Sequence, residues 1–258
     1  MDPSDTFFLN IGAKTTKLWK SEEQFLSSYV LTTPKLVSRL KCDKTLTTSS
    51  LTECLSKFLI SLWYVYQMDV AGRVILLFDP DEHPQFGYIC LKILGTLGLS
   101  RYPCPPVVST ESLPLFVAHL HGTSEATIVV DLGHACTRVM PVCHGIVMFD
   151  HISYCAGLCV VPSPEASFGE LLNQIYENEM VDFPECLTNL EHLFSTAHYF
   201  FALEESIQDV CAWSRRHFVA SCMGAVTICG GGSDIPSLRH LLCVIVQRCT
   251  PYGRILWS

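Results

Sequence analysis

At 258 residues the chain is long enough for one large domain or two small ones. It is 49% hydrophobic and only 16% charged, with a mean hydropathy of +0.31, so it either buries a large core or covers much of its surface against partners. The net charge of −8 argues against a general nucleic-acid binder, and no uncharged apolar run approaches the roughly 18 residues of a membrane span.

The N-terminal MDPSDTFFLN lacks a basic segment followed by a long apolar run, so no signal peptide is expected. Thr6 to Asn10 reads as a short strand that turns at Gly12-Ala13, with Lys14 to Trp19 running back as its hairpin partner. Pro34 to Ser50 is polar and reads as a loop or small subdomain. Ser50-Leu51-Thr52-Glu53 fits a capping box, and Leu51, Leu55, Phe58, Leu59, Leu62, Trp63 and Tyr66 follow at helical spacing. Val74 to Phe78 is the unbroken apolar run of a strand covered on both faces, and Pro84 suits the first turn of the next helix. Leu113 to Leu120 reads as a helix.

Thr127 to Asp150 holds two or three strands, with a tight turn at Asp131-Leu132-Gly133. Helices are expected over Phe168 to Tyr176, Leu187 to Leu203 and Ile207 to Phe218. Val226 to Cys229 is a short strand ending in Gly230-Gly231-Gly232-Ser233, after which Pro236 opens a last helix through Val246. A hairpin sits early in each half, one near Gly12 and one near Gly133, which suggests two similar α/β lobes.

The 14 cysteines are scattered through apolar segments without a C-x-x-C, so they read as buried free thiols rather than zinc ligands. Cys155-x3-Cys159 and the adjacent Cys143-His144 are the nearest approaches to ligand spacing, and no metal site is expected. His119 and His121 lie two apart on a helix and share no face, and no G-x-S-x-G occurs, which leaves a hydrolase without support.

Two strand–turn–strand hairpins and a strand-to-helix glycine turn can clamp a nucleotide between two lobes, with hairpin amides around phosphates and glycines admitting the nucleoside. In that order the segments FFLNIGAKTTKLWK, RVILLFDPDEHPQFGYICLKILGTLG, VVDLGHACTRVMPVCHG and TICGGGSDIPSLRHLL resemble the actin and actin-related protein family. The resemblance runs over most of Phe7 to Trp257. It implies an α/β, actin-like (ribonuclease H-like) fold of two lobes with mixed sheets and reduced outer subdomains. The first lobe would be 1–125 with a reduced subdomain two. The second would be 126–258 with a much-reduced subdomain four and a truncated C-terminus.

The resemblance places a degenerate nucleotide site on Asn10, Gly12, Ala13, Lys14, Lys17, Asp131, Gly133, His134, Gly230, Gly231 and Gly232. The family's metal-shell Asp and small hydroxyl residue of the first loop fall on Asn10 and Ala13, the following Gly on Lys14, and the phosphate-binding Lys on Lys17. In the second loop Asp131 and Gly133 are kept, while the second Asp becomes His134 and its Gly Ala135. The water-polarising Gln of the interlobe helix has no counterpart in Ser112-Leu113-Pro114. Hydrolysis needs a positioned water and a neutralised leaving group, so no catalytic residue is expected.

The implied function is a non-catalytic architectural subunit, most similar in kind to the actin-related member at the pointed end of dynactin. It would cap or bridge actin-like or other protein subunits in a cytoplasmic, cytoskeletal complex. The alternatives are an axonemal or chromatin-remodelling actin-related subunit, or a residual nucleotide-binding ATPase or sugar-kinase relative. No cofactor is expected, with ATP or ADP and Mg2+ as the alternative, held as a structural ligand.

Overall fold

The computed structural model describes residues 5–22, 25–42, 48–79, 84–100, 105–123, 125–160, 183–217, 224–251 and 253–258. The chain divides into two compact units, Met1–Phe116 and Val117–Ser258.

The first unit is built on a sheet of order β3-β2-β1-β4-β5. Its strands are β1 (Thr6–Ile11), β2 (Thr15–Glu22), β3 (Phe25–Thr32), β4 (Arg73–Phe78) and β5 (Val107–Ser112). The first three form an antiparallel meander; β4 runs parallel to β1, and β5 parallel to β4. Alternation along β1 sends Phe7, Leu9 and Ile11 into the core, where Leu18, Val74 and Leu76 join them. Helices α2 (Thr48–Val65) and α3 (Pro84–Leu99) close that core with Leu55, Leu59, Leu62, Trp63, Phe86, Ile89 and Leu94. On the opposite face Phe116 meets Phe8 at 4.5 Å and Trp19 at 5.2 Å between ring centroids.

The second unit repeats this winding. Its six-stranded sheet runs β11-β10-β6-β7-β8, with β9 also paired to β7. The strands are β6 (Ala126–Leu132), β7 (Cys136–Cys143), β8 (Ile146–Val147), β9 (Ser153–Ala156), β10 (Ala225–Cys229) and β11 (Arg254–Trp257). Again a hairpin comes first, β6 against β7, and two parallel strands follow on its inner side. Ile128, Val130, Leu132, Val226 and Ile228 pack on helix α5 (Phe183–His217) through Tyr199, Leu203, Ile207 and Val210. Leu238, Leu242, Ile245 and Val246 of α6 (Pro236–Cys249) complete this core. Hairpin, third strand and two parallel strands thus recur in each unit, as the paired hairpins in the sequence suggest.

Several local expectations are corrected. Pro34 to Ser50 is not simply a loop, since Lys35–Cys42 forms helix α1 and α2 already begins at Thr48. Ser50 therefore lies inside α2 rather than capping it, and Glu53 instead accepts a 2.9 Å bond from Lys57 one turn on. Helix α4 spans Leu113–Leu120, as its apolar run indicates. The two helices expected over Leu187–Leu203 and Ile207–Phe218 are one, because Tyr199, Leu203, Ile207 and Val210 carry one buried stripe through Glu204-Glu205. The helix expected at Phe168 to Tyr176 lies outside the described residues.

Candidate functional site

In the first unit the turn Gly12–Lys14 joins β1 to β2, and the amide of Gly12 donates to the carbonyl of Thr15 at 2.9 Å. A Cβ at Gly12 would stand 2.6 Å from that carbonyl oxygen, so the turn can close this tightly only with glycine there. Thr33, immediately after β3, ties the turn down. Its amide donates to the carbonyl of Lys14 at 2.9 Å, and its hydroxyl donates to the carbonyl of Gly12 at 2.8 Å. Ala13 is half-buried and Lys14 exposed on this turn. Asn10 and Lys17 are cross-strand partners on the face that also carries Phe8 and Trp19. Lys17 is buried, and the Asn10 Nδ2 is enclosed with no hydrogen-bond partner. Ser112 ends β5 with its Oγ buried and likewise unpartnered.

In the second unit the turn Gly133–Ala135 joins β6 to β7. A Cβ at Gly133 would meet the Cys136 carbonyl at 2.3 Å, the same requirement as at Gly12. The turn's carbonyls are capped from below: Leu158 N–H donates to Gly133 at 3.0 Å and Cys159 N–H to His134 at 2.9 Å. Gly157 makes this approach possible, because a Cβ there would stand 2.3 Å from the His134 oxygen.

Asp131 lies in β6 directly opposite Arg138 of β7, and Arg138 Nη1 donates to Asp131 Oδ2 at 2.7 Å with both side chains buried. The other carboxylate oxygen faces β10, where Cys229 is the cross-strand neighbour with its Sγ 4.0 Å from Oδ1. Gly230 follows, with φ 89° and ψ 176°, a conformation open essentially to glycine alone. Gly231 and Gly232 start a short 3-10 turn that ends at Asp234. The space beside Gly232 is taken by Leu158 and Leu132 of its own unit. Ser233 Oγ lies 2.7 Å from the Gly230 carbonyl and 2.9 Å from that of Ser258, and Arg239 Nε donates to the Ser233 carbonyl at 2.6 Å. Arg239 also stacks over Trp257 at 5.0 Å, and both Ile255 and Trp257 pack against the core.

The structure thus gathers Gly12, Ala13, Lys14, Asn10 and Lys17 at one hairpin, and Asp131, Gly133, His134 and Gly230 to Gly232 around a second. Sequence reasoning missed Thr33 and Arg138. The signal for Arg138 was available, because pairing about a turn at Gly133–Ala135 sets Arg138 opposite Asp131. Among the described residues, no group of three or more His, Cys, Asp or Glu converges as metal ligands would.

No family model matches the chain, and no curated protein matches it. Solved structures do. The chain aligns over 98% of its length with 94% of a MamK double helical filament subunit, at a TM-score of 0.61 and 12% identity. A non-polymerising MamK A278D mutant bound to AMPPNP aligns over 99% of this chain and 94% of its own, at 0.59 and 12% identity. The ethanolamine utilization protein EutJ from Carboxydothermus hydrogenoformans aligns over 100% and 86%, at 0.52 and 11% identity. With its twice-repeated sheet order, the chain has an actin-like two-lobed α/β fold.

Proposed function

We propose that the chain is a non-catalytic, actin-related architectural subunit that caps or bridges protein subunits within a cytoplasmic, dynactin-like cytoskeletal complex. The observation that carries the non-catalytic part is Asn10. Where the resemblance calls for a carboxylate over the metal's water shell, the chain holds a neutral amide, enclosed between β2 and β4. Ser112 supports it, since a buried hydroxyl at the head of α4 is too short to hold a water where a Gln would reach. The lobes in this reading are 1–125 and 126–258, with reduced outer subdomains.

The architectural part leans on the company the fold keeps. MamK forms a double helical filament, and a variant of it carries a nucleotide analogue. A filament-type neighbour makes protein subunits the natural partners here. No helix among the described residues is long and apolar enough to cross a membrane.

Phosphate release from Mg2+-ATP tests the first part. No turnover above a buffer blank is expected, and a Mg2+-dependent rate abolished by Asp131→Ala would overturn it. Thermal shift tests retention of nucleotide, where the reading expects none. A rise of several degrees with millimolar ATP and Mg2+ would establish the alternative of a structural ATP or ADP, because a ligand at a hundredfold excess over its Kd stabilises by roughly 2.7 kcal/mol.

A further inference from the structure

We infer that Arg138 is the resident cation of the second hairpin, standing where the fold's nucleotide-binding relatives would bring a divalent metal, so that Asp131 takes no Mg2+. The inference rests on the reading of this hairpin as a former nucleotide site and adds a different claim, about charge rather than turnover.

Both oxygens of Asp131 are engaged. Oδ2 accepts a 2.7 Å charge-assisted bond from Arg138 Nη1, and the two side chains are only 6% and 10% exposed. Oδ1 sits 4.0 Å from the Cys229 thiol and fills the space that a side chain at Gly230 would need, 2.4 Å from the position of such a Cβ. Mg2+ demands near-octahedral oxygen ligands at about 2.0–2.1 Å and keeps several waters, which needs open volume and a carboxylate facing it. A carboxylate walled by β7 and β10 offers neither. A divalent ion placed there would also stand within a few ångströms of a buried guanidinium that cannot lose its proton.

The arrangement is built by register rather than by chance rotamers. Asp131 and Arg138 are directly opposed across β6 and β7, and Cys229 is directly opposed to Asp131 across β6 and β10. The glycine at 230 then allows the chain to pass over the carboxylate. Nothing in this set must move for the pair to persist. The residues therefore do not fit a metal, and a polyphosphate entering here would have to do so without one.

The test uses the full chain and Mn2+ alone as the probe, read by its electron paramagnetic resonance signal. Wild type and the charge-free pair D131L/R138M are compared, so that the subtraction survives if a lone Asp131→Asn fails to fold. Equal Mn2+ binding by the two is expected; one additional Mn2+ held by wild type at sub-millimolar Kd overturns the inference. Stability supplies the second readout. R138M strands a buried carboxylate and is expected to lower Tm by roughly 6 °C or more, with D131L/R138M recovering at least about half. R138M within about 1 °C of wild type also overturns it. The two readings fail separately: Mn2+ bound at Asp131 without ATP turnover sinks only the arginine assignment, whereas turnover that persists in EDTA sinks only the non-catalytic proposal.

Discussion

Gly230 lies against Asp131 so closely that a methyl group on its Cα would stand 2.4 Å from Oδ1 and 2.7 Å from the amide nitrogen of Leu132. The residue is also at φ 89°, where a side chain is strained whatever the space. Gly230→Ala therefore faces two penalties at once, and neither can relax cheaply, because Asp131 is held by Arg138 and Leu132 is in the sheet. A loss of about 2–4 kcal/mol is expected in urea unfolding. Gly145→Ala is the control: its φ of 71° carries the backbone strain, but nothing lies within 4 Å of the new methyl, so it should cost distinctly less. Equal losses would show that the contact with Asp131 contributes nothing.

Thr33 does for the first hairpin what Gly157 to Cys159 do for the second: it satisfies the turn's outward carbonyls. Its single hydroxyl hydrogen goes to Gly12, so in the 2.9 Å contact with Thr16 the donor is Thr16. Thr33→Val keeps the shape and removes both bonds in a buried setting, leaving the Thr16 hydroxyl without this acceptor. The expected loss is about 1–3 kcal/mol. Thr33→Ser should retain most of the stability, and a Ser variant as damaged as the Val variant would mean that the methyl, not the hydroxyl, matters.

What the sequence revealed and what it hid follow from where apolar periodicity is strong. β1, β4, β6 and β10 are central strands, β1 alternating buried Phe7, Leu9 and Ile11 and the others holding unbroken buried runs such as Val74 to Leu77 and Ile128 to Val130, and each was legible. β3 and β5 were not. They lie at the two edges of their sheet, where Leu26, Tyr29 and Val30 stay exposed and Val107 to Ser112 is mostly polar. Backbone pairing to β2 and β4 makes them strands, and side-chain pattern carries little trace of it. The sequence reads as two helices, Leu187 to Leu203 and Ile207 to Phe218, but α5 is continuous, with Leu203, Ser206 and Ile207 buried on either side of Glu204-Glu205, residues that themselves favour helix. At the site, the glycines and Asp131 were legible as a motif. The ion pair was overlooked, although a turn at Gly133–Ala135 already sets the hairpin register that opposes Asp131 and Arg138.

The thiols divide by burial, and reactivity should follow. Burial pushes the Cys211 thiol up to about 12 and those of Cys155 and Cys249 up to about 11, against the opposing pull of Arg215 on Cys211 and Cys249. The thiolate is the reactive form, so all three should be nearly inert at neutral pH. Cys159 is exposed. Brief treatment of the native protein with iodoacetamide near pH 8, followed by peptide mass spectrometry, should label Cys159 at least about tenfold faster than Cys211. Labelling of Cys211 at the Cys159 rate would show that the α5–α6 packing around it opens readily.

The last expectation concerns acid. Burial holds the His121 imidazole below its ordinary value of 6.5, and its Nε2 lies 2.5 Å from the Ser258 hydroxyl at the end of β11. A lowered folded pKa means that the unfolded chain takes up the proton first as pH falls. The stabilisation from neutral His121 is therefore complete above pH 6.5 and is lost as pH drops through the folded value. The informative quantity is the difference between wild type and His121→Gln, which keeps a hydrogen-bonding amide and removes the titration of this one side chain. Between about pH 7.5 and about pH 5 the Tm advantage of wild type over the variant should shrink. An advantage that stays flat would mean that folding leaves the proton affinity of the imidazole unchanged, and one that widens on acidification that the folded chain favours the cation, donating to Ser258; either overturns the expectation.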